Sequence, residues 1–259
     1  MAWLVGLSDA EHVAFAPPSV WSDPDATLSR LLHGRLETLP EAEDGWLDAW
    51  RAADARVAQA FEEVLGDDLG EPQVARTLVA TLPAGATLVV ASSMPVRDVE
   101  SFAPVRPDPP RVLSNRGANG IDGTVSTAYG VASVSDGPVV LLIGDVALLH
   151  DAGGLLAGRR LGLDLDIVLL NNDGGGIFEF LPVAGERDFF EEHVATPHGV
   201  EFAHLAAFYG CAYERVDEPA AVGAALGRGG TRIVEVRTDR AENLALHRRA
   251  TEAALGAIA

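Results

Sequence analysis

Pro138-Val139-Val140-Leu141-Leu142-Ile143 is an unbroken apolar run that closes on Gly144-Asp145. The 25 residues that follow end in a second run, Leu165-Asp166-Ile167-Val168-Leu169-Leu170, which closes on Asn171-Asn172-Asp173-Gly174-Gly175-Gly176. Short runs of Val, Ile and Leu stopped by turn residues read as strands covered on both faces, as inside a parallel sheet. Residues 146–161 between them read as one helix. A strand, a crossover helix and a second parallel strand bring both strand ends to the same edge of the sheet.

The same grammar extends outward. Residues 87–91 read as a buried strand followed by a loop over 92–95, and 111–113 as a short strand. Residues 122–133 form the next expected helix, with Asp122 placed to cap it. Cys211 precedes a strand-like segment, and 231–236 is the last strand. Helices are expected over 202–209, 219–226 and 241–254. Alternation of this kind predicts an α/β fold, a doubly wound and mainly parallel sheet with helices on both faces. Upstream, Trp46, Trp50, Ala53, Val57, Phe61 and Val64 recur at three- and four-residue steps, the stripe of an amphipathic helix. Glu71 opens another helix to residue 82. Residues 1–45 read as irregular, with Trp3-Leu4-Val5 a single candidate strand. The expected organisation is therefore the remnant of a preceding domain over 1–45, a linker helix over 46–68, and the α/β domain over 69–259.

Composition narrows the function. The formal charge is −19 and all 19 basic residues are Arg. Such a surface repels nucleic acid and anionic membranes, whereas Arg forks suit carboxylates and phosphates. No apolar run approaches the roughly 20 residues of a membrane span. The start lacks a basic region followed by an apolar core, so no secretion signal is read. The single cysteine, Cys211, rules out a disulfide framework, and a cytoplasmic location is expected.

In a doubly wound sheet, ligands bind beyond the carboxyl ends of strands where the strand order reverses. Three such ends carry polar or Gly-rich sequence: Ser92-Ser93, Gly144-Asp145 and 171–176. Asp145 offers a hard anionic oxygen and Asn172 a neutral amide oxygen, with a backbone carbonyl near Gly174 as a third donor. Few, hard oxygen ligands suit Mg²⁺, which takes its remaining ligands from water and a diphosphate. Gly144 lets the backbone approach phosphate, and the following helix points its N-terminus there. Either pair alone is an ordinary turn sequence. Together, one helix–strand unit apart, they predict a metal–diphosphate site.

This spacing resembles the Gly-Asp…Asn-Asn signature of enzymes dependent on thiamine diphosphate (ThDP). Three strings narrow the resemblance: 93–98 (Ser-Met-Pro-Val-Arg-Asp), 114–123 (Ser-Asn-Arg-Gly-Ala-Asn-Gly-Ile-Asp-Gly) and 175–182 (Gly-Gly-Ile-Phe-Glu-Phe-Leu-Pro). They are similar to the 2-succinyl-5-enolpyruvyl-6-hydroxy-3-cyclohexene-1-carboxylate (SEPHCHC) synthase family of menaquinone biosynthesis, over about residues 46–240. The resemblance implies that Asp145, Asn172 and the Gly174 carbonyl hold Mg²⁺ (or Mn²⁺). It implies cofactor contacts at Asn119, Gly120, Ile121, Gly144, Val146, Ala147, Gly175 and Ile177, with Ile121 propping ThDP in its bent form. It makes 69–259 the diphosphate-binding domain. The family decarboxylates 2-oxoglutarate and adds the succinyl-semialdehyde unit to isochorismate. Ser93, Arg97 and Arg116 match substrate-binding positions, and Ile177, Phe178 and Leu181 match an apolar wall over the reaction centre.

The family's catalytic glutamate lies in a pyrimidine-binding domain, and no residue of this chain matches it. The implied expectation is a C-terminal part of a homodimeric or tetrameric enzyme, inactive by itself. Ala147 departs from the small hydroxyl residue that relatives often carry, forfeiting a phosphate hydrogen bond worth ~1 kcal/mol. Two other readings stand beside this one: another ThDP decarboxylase or acetolactate-type synthase, and a non-catalytic binding or dimerisation module. The Arg97 and Arg116 motifs weigh for polyanionic substrates. His193 and His198 read as solvated, Arg97 next to Asp98 as an alternative surface ion pair, and Cys211 as a buried small hydrophobe. The stretch 179–197 is long for a plain connection and is expected to be a mobile lid.

Overall fold

A computed structural model describes residues 9–19, 23, 26–34, 41, 43–66, 70–115 and 120–259. The candidate strand Trp3-Leu4-Val5 and the site residues Arg116 and Asn119 lie outside the described residues. The chain divides into two compact units, Met1–Arg51 and Ala52–Ala259.

The first unit is not wholly irregular. Val13–Ala16 (β1) pairs in parallel with Arg30–His33 (β2). Four-residue strands that alternate poorly leave little periodic signal, so sequence reading passed over them.

The second unit carries six parallel strands. They are Thr87–Val90 (β3), Arg111–Ser114 (β4), Val139–Gly144 (β5), Leu165–Asn171 (β6), Ala212–Val216 (β7) and Thr231–Arg237 (β8), in the order β4-β3-β5-β6-β8-β7. The chain leaves β3 outward to β4 and then returns to β5 on the other side of β3. The order therefore reverses between β3 and β5, which opens a crevice there.

Strand alternation splits the core in two. Leu88, Val90, Val140, Leu142, Val168, Leu170, Val234 and Val236 face helices Glu71–Thr81 (α2), Met94–Phe102 (α3) and Pro219–Ala225 (α9). Val89, Leu141, Ile143, Ile167, Leu169 and Ile233 face Thr124–Ala132 (α4), Asp145–His150 (α5) and Phe202–Tyr209 (α8). The end of Trp46–Leu65 (α1), through Phe61, Val64 and Leu65, packs with Phe102 and with Arg240–Ile258 (α10). Trp46 and Trp50 at its start are exposed, so only part of the expected apolar stripe is buried. Among the described residues no helix is long and apolar enough to cross a membrane.

Four local expectations are corrected. Asp122 does not cap α4: Gly123 takes a left-handed turn at φ 64° and the helix begins at Thr124. The single helix over 146–161 is instead α5, a 3-10 turn Ala152–Leu155, and Leu156–Leu161 (α6). Asp151 turns its carboxylate onto Ser126, accepting from the backbone N at 2.8 Å and from Oγ at 3.1 Å, and Gly153-Gly154 weakens helix continuation there. The loop over 92–95 ends at once in α3, with Pro95 in its first turn. The stretch 179–197 is not bare loop but a chain of short turns: 3-10 segments Gly176–Phe180 and Pro182–Gly185, helix Arg187–Phe190 (α7) and π-helix Glu191–Ala195.

Candidate functional site

Register delivers the site. Val90 pairs with Leu142, and Gly144 with Leu170, so the residues after β3, β5 and β6 emerge level with one another. They surround a cleft of about 460 Å³. Ser93, Arg97, Ile121, Gly144, Asp145, Val146, Ala147, Asn172, Gly174, Gly175, Ile177 and Phe178 all line it, so most sequence-chosen residues converge. Gly120 and Leu181 do not, and Leu181 stands 47% exposed.

Asp145 is buried at the first turn of α5. Its Oδ1 accepts from Val146 N at 2.6 Å and its Oδ2 from Gly174 N at 3.0 Å, tying the β5 end to the β6 end. Burial pushes its carboxyl above the usual range, while those two N–H groups and His198 pull the other way. His198 Nε2 stands 3.2 Å from Asp145 Oδ2. Its Nδ1 accepts from Val200 N at 3.0 Å and stands 3.4 Å from Asp173 Oδ1. His198 therefore stands against Asp145 behind the cleft lining and is not solvated, whereas His193 is exposed as expected.

The loop after β6 is built for close approach. Gly174 sits at φ 141°, and a Cβ there would meet the Ala195 carbonyl oxygen at 2.3 Å. Gly175 N donates to that same oxygen at 2.7 Å. A Cβ on Gly176 would press on Asn172 Nδ2 at 2.6 Å. Asn171 points away from the cleft: its Nδ2 donates to Glu235 Oε1 at 2.7 Å, and its Oδ1 accepts from Asp173 N at 3.1 Å. Glu235 also accepts from Tyr213 and from Arg237, bonds that outweigh its burial and hold its carboxyl below the usual range.

Asn172 is the second Asn, and its amide is divided. Nδ2 donates to Glu71 Oε1 at 2.8 Å, whereas Oδ1 is buried without a hydrogen-bond partner. A buried, unpaired acceptor is costly and calls for a ligand. Among the described residues no cluster of three His, Cys, Asp or Glu side chains makes a metal site alone. A mixed set of one carboxylate, one amide oxygen and a backbone carbonyl fits a hard cation that also takes oxygens from a diphosphate.

On the other side of the cleft, Ser93 holds a left-handed backbone at φ 76°, strain of the kind stored at functional turns. Its carbonyl accepts from an Arg97 guanidinium nitrogen at 2.7 Å, which holds that side chain at the cleft. Arg97 makes no surface pair with Asp98. Asp98 is fully buried and bonds His247 Nε2 at 2.7 Å. Burial raises the Asp98 carboxyl, against the bond and charge of His247.

Sequence reading missed Glu71, His198, Asp98 with His247, and Glu235. Glu71 at the head of a helix reads as an ordinary dipole-matching surface carboxylate. It is 1% exposed, and burial followed by the Asp98 charge pushes its pKa up to about 7. Only His198 carried a signal, between Pro197 and Gly199 in a segment already suspected of bordering the site.

Residues 95–236 match the family described as thiamine pyrophosphate enzyme, C-terminal TPP binding domain. A SEPHCHC synthase of Myxococcus xanthus (strain DK1622) is 44% identical over 263 residues, covering 95% of this chain and 44% of the relative. That of Rubrobacter xylanophilus (strain DSM 9941 / JCM 11954 / NBRC 16129 / PRD-1) is 42% identical, covering 98% and 46%. That of Chloroflexus aurantiacus (strain ATCC 29366 / DSM 635 / J-10-fl) is 48% identical, covering 78% and 35%. The chain thus spans less than half the length of these curated relatives. A solved structure from Mycobacterium smegmatis, described as a thiamin diphosphate-dependent enzyme, superposes with a TM-score of 0.54 at 22% identity, over 66% of this chain and 32% of that one. At that identity the likeness is one of fold.

Proposed function

Because the chain belongs to the thiamine pyrophosphate enzyme family, through its C-terminal TPP-binding domain, we propose that its cleft holds ThDP by the diphosphate through Mg²⁺ or Mn²⁺. The observation that carries this reading is the buried, unpartnered Asn172 Oδ1 in the same cleft as Asp145. Asp145, Asn172 Oδ1 and the Gly174 carbonyl are the proposed ligands. Gly144, Val146, Ala147 and Gly175 present backbone to the phosphates, with the short α5 behind them. Ile121 supports the bent cofactor. When bound, ThDP supplies the carbon acid through which a 2-oxo acid loses CO₂.

The full protein is proposed to be a SEPHCHC synthase acting in menaquinone biosynthesis, using 2-oxoglutarate and isochorismate. Both substrates are polyanions, and Arg97 at the cleft favours them over a monoanion. Ser93 and Arg97 receive carboxylate, together with Arg116. Ile177 and Phe178 close the apolar side and exclude water. Residues 69–259 act as the diphosphate-binding domain, preceded by a linker helix over 46–68 and a central-domain remnant over 1–45. The working assembly is a homodimer or tetramer in the cytoplasm. No glutamate of this chain matches the family's acid–base position, so the 259 residues alone are proposed to bind ThDP without turnover.

Calorimetric titration of ThDP into the chain, with Mg²⁺ and then with a chelator, tests the reading. Heat that requires the metal and disappears in Asp145→Ala supports it. No heat with metal, or equal heat with chelator, contradicts it. Turnover of 2-oxoglutarate with isochorismate by the chain alone would contradict its inactivity.

A further inference from the structure

An asparagine side chain can serve a cation with only one of its two ends. Rotated by half a turn, the amide of Asn172 would aim two N–H donors where the oxygen now lies. The partner of Nδ2 decides between these states, and that partner is Glu71. Its Oε1 accepts from Asn172 Nδ2 at 2.8 Å and from Thr238 Oγ1 at 2.9 Å. Oε1 accepts from both neighbours, so an Asn172 amide turned the other way would set two acceptor oxygens face to face.

Glu71 is itself held. It opens α2, and Pro72 fixes the first turn behind it. A Cβ on Gly70 would strike Leu246 Cδ2 at 2.6 Å, so the chain before it is also closely packed. The absent Cβ of Gly176 leaves room for the Asn172 amide beside it. Burying a carboxylate here is expensive, and an apolar side chain would fill the same space at less cost. What an apolar side chain cannot do is accept the amide's N–H.

We propose that Glu71 is a positioning residue that locks the Asn172 amide with Oδ1 toward the cleft, braced by Thr238. This rests on the reading of Asn172 as a Mg²⁺ ligand. Outer partners of metal ligands typically change metal affinity 10- to 100-fold when removed.

The test is the Mg²⁺ titration at saturating ThDP, run on the wild-type chain, Glu71→Leu, Glu71→Gln, Thr238→Val and Asn172→Ala, with thermal midpoints taken without metal. Glu71→Leu is expected to weaken Mg²⁺ binding about tenfold or more. Glu71→Gln keeps an acceptor oxygen and should rescue to about twofold of wild type. Thr238→Val should weaken binding in the same direction by less, about threefold, at an unchanged metal-free midpoint. If Glu71→Leu does not fold, Thr238→Val decides. Wild-type Mg²⁺ affinity in Glu71→Leu and Thr238→Val, with affinity lost in Asn172→Ala, overturns the positioning role alone. Wild-type affinity in Asn172→Ala, or no metal-dependent heat in the wild type, overturns the metal reading and this inference with it.

Discussion

His247 sits 2.7 Å from the buried carboxylate of Asp98, edge-on to the rings of Phe102 and Phe180. Burial works against its charge, but the bond to Asp98, the Asp98 charge and the more distant Glu71 hold the imidazolium above its ordinary 6.5. A proton held more tightly in the folded state gives stability that is complete below 6.5 and is lost as the pH climbs through the raised folded value. Asp98, also raised, has the same sign from 3.8 upward. Urea unfolding measured from about pH 6 to about pH 9 should therefore show stability falling with pH, and His247→Gln should flatten that slope. Equal slopes in both proteins would contradict the ion pair.

Arg97 supports a second prediction at this scale. Losing a charge-assisted bond of ~1.5–3 kcal/mol, Arg97→Ala in the full-length protein should raise KM for the carboxylate substrates roughly 10- to 100-fold. Unchanged KM values would remove Arg97 from substrate binding. Residues that chemistry places at strand ends, such as Asp145 and Asn172, were legible because strand ends can be read from apolar runs. Glu71 was not, because it reaches the cleft by tertiary packing from a helix head whose local sequence carries no mark of it.

At the scale of the element, the central strands and most helices were legible because they carry long, unambiguous periodicity. The break at Asp151 was not, since it depends on a carboxylate finding Ser126, 25 residues earlier in the chain. Close approach between elements is also invisible in sequence. Gly158 in α6 lies where a Cβ would meet Thr231 Oγ1 at 2.4 Å and Tyr129 OH at 2.5 Å, two groups bonded to each other at 2.7 Å. Gly158→Ala should therefore cost about 1–3 kcal/mol, read as a lower urea midpoint. An unchanged midpoint would show that α6 can slide without penalty.

At the scale of the second unit, a sheet covered on both faces fixes the mouth of the cleft. Leu142, fully buried between Val90 of β3 and Val168 of β6, ties β5 to the α2 face of the core. Leu142→Ala should destabilise by about 2–5 kcal/mol. The parallel architecture followed from the order of strands and helices. The strand order itself did not, because sequence separation does not say which places β4, β7 and β8 take in the sheet.

The claim that Asp145 and Asn172 share one cation is tested most directly by a crystal of this chain grown with ThDP and Mn²⁺, with anomalous scattering used to locate the ion. The account predicts one peak about 2.1 Å from both an Asp145 carboxylate oxygen and Asn172 Oδ1, with diphosphate oxygens completing the shell. Bound ThDP with the peak elsewhere, or with Asn172 turned so that Nδ2 faces the cleft, would contradict it.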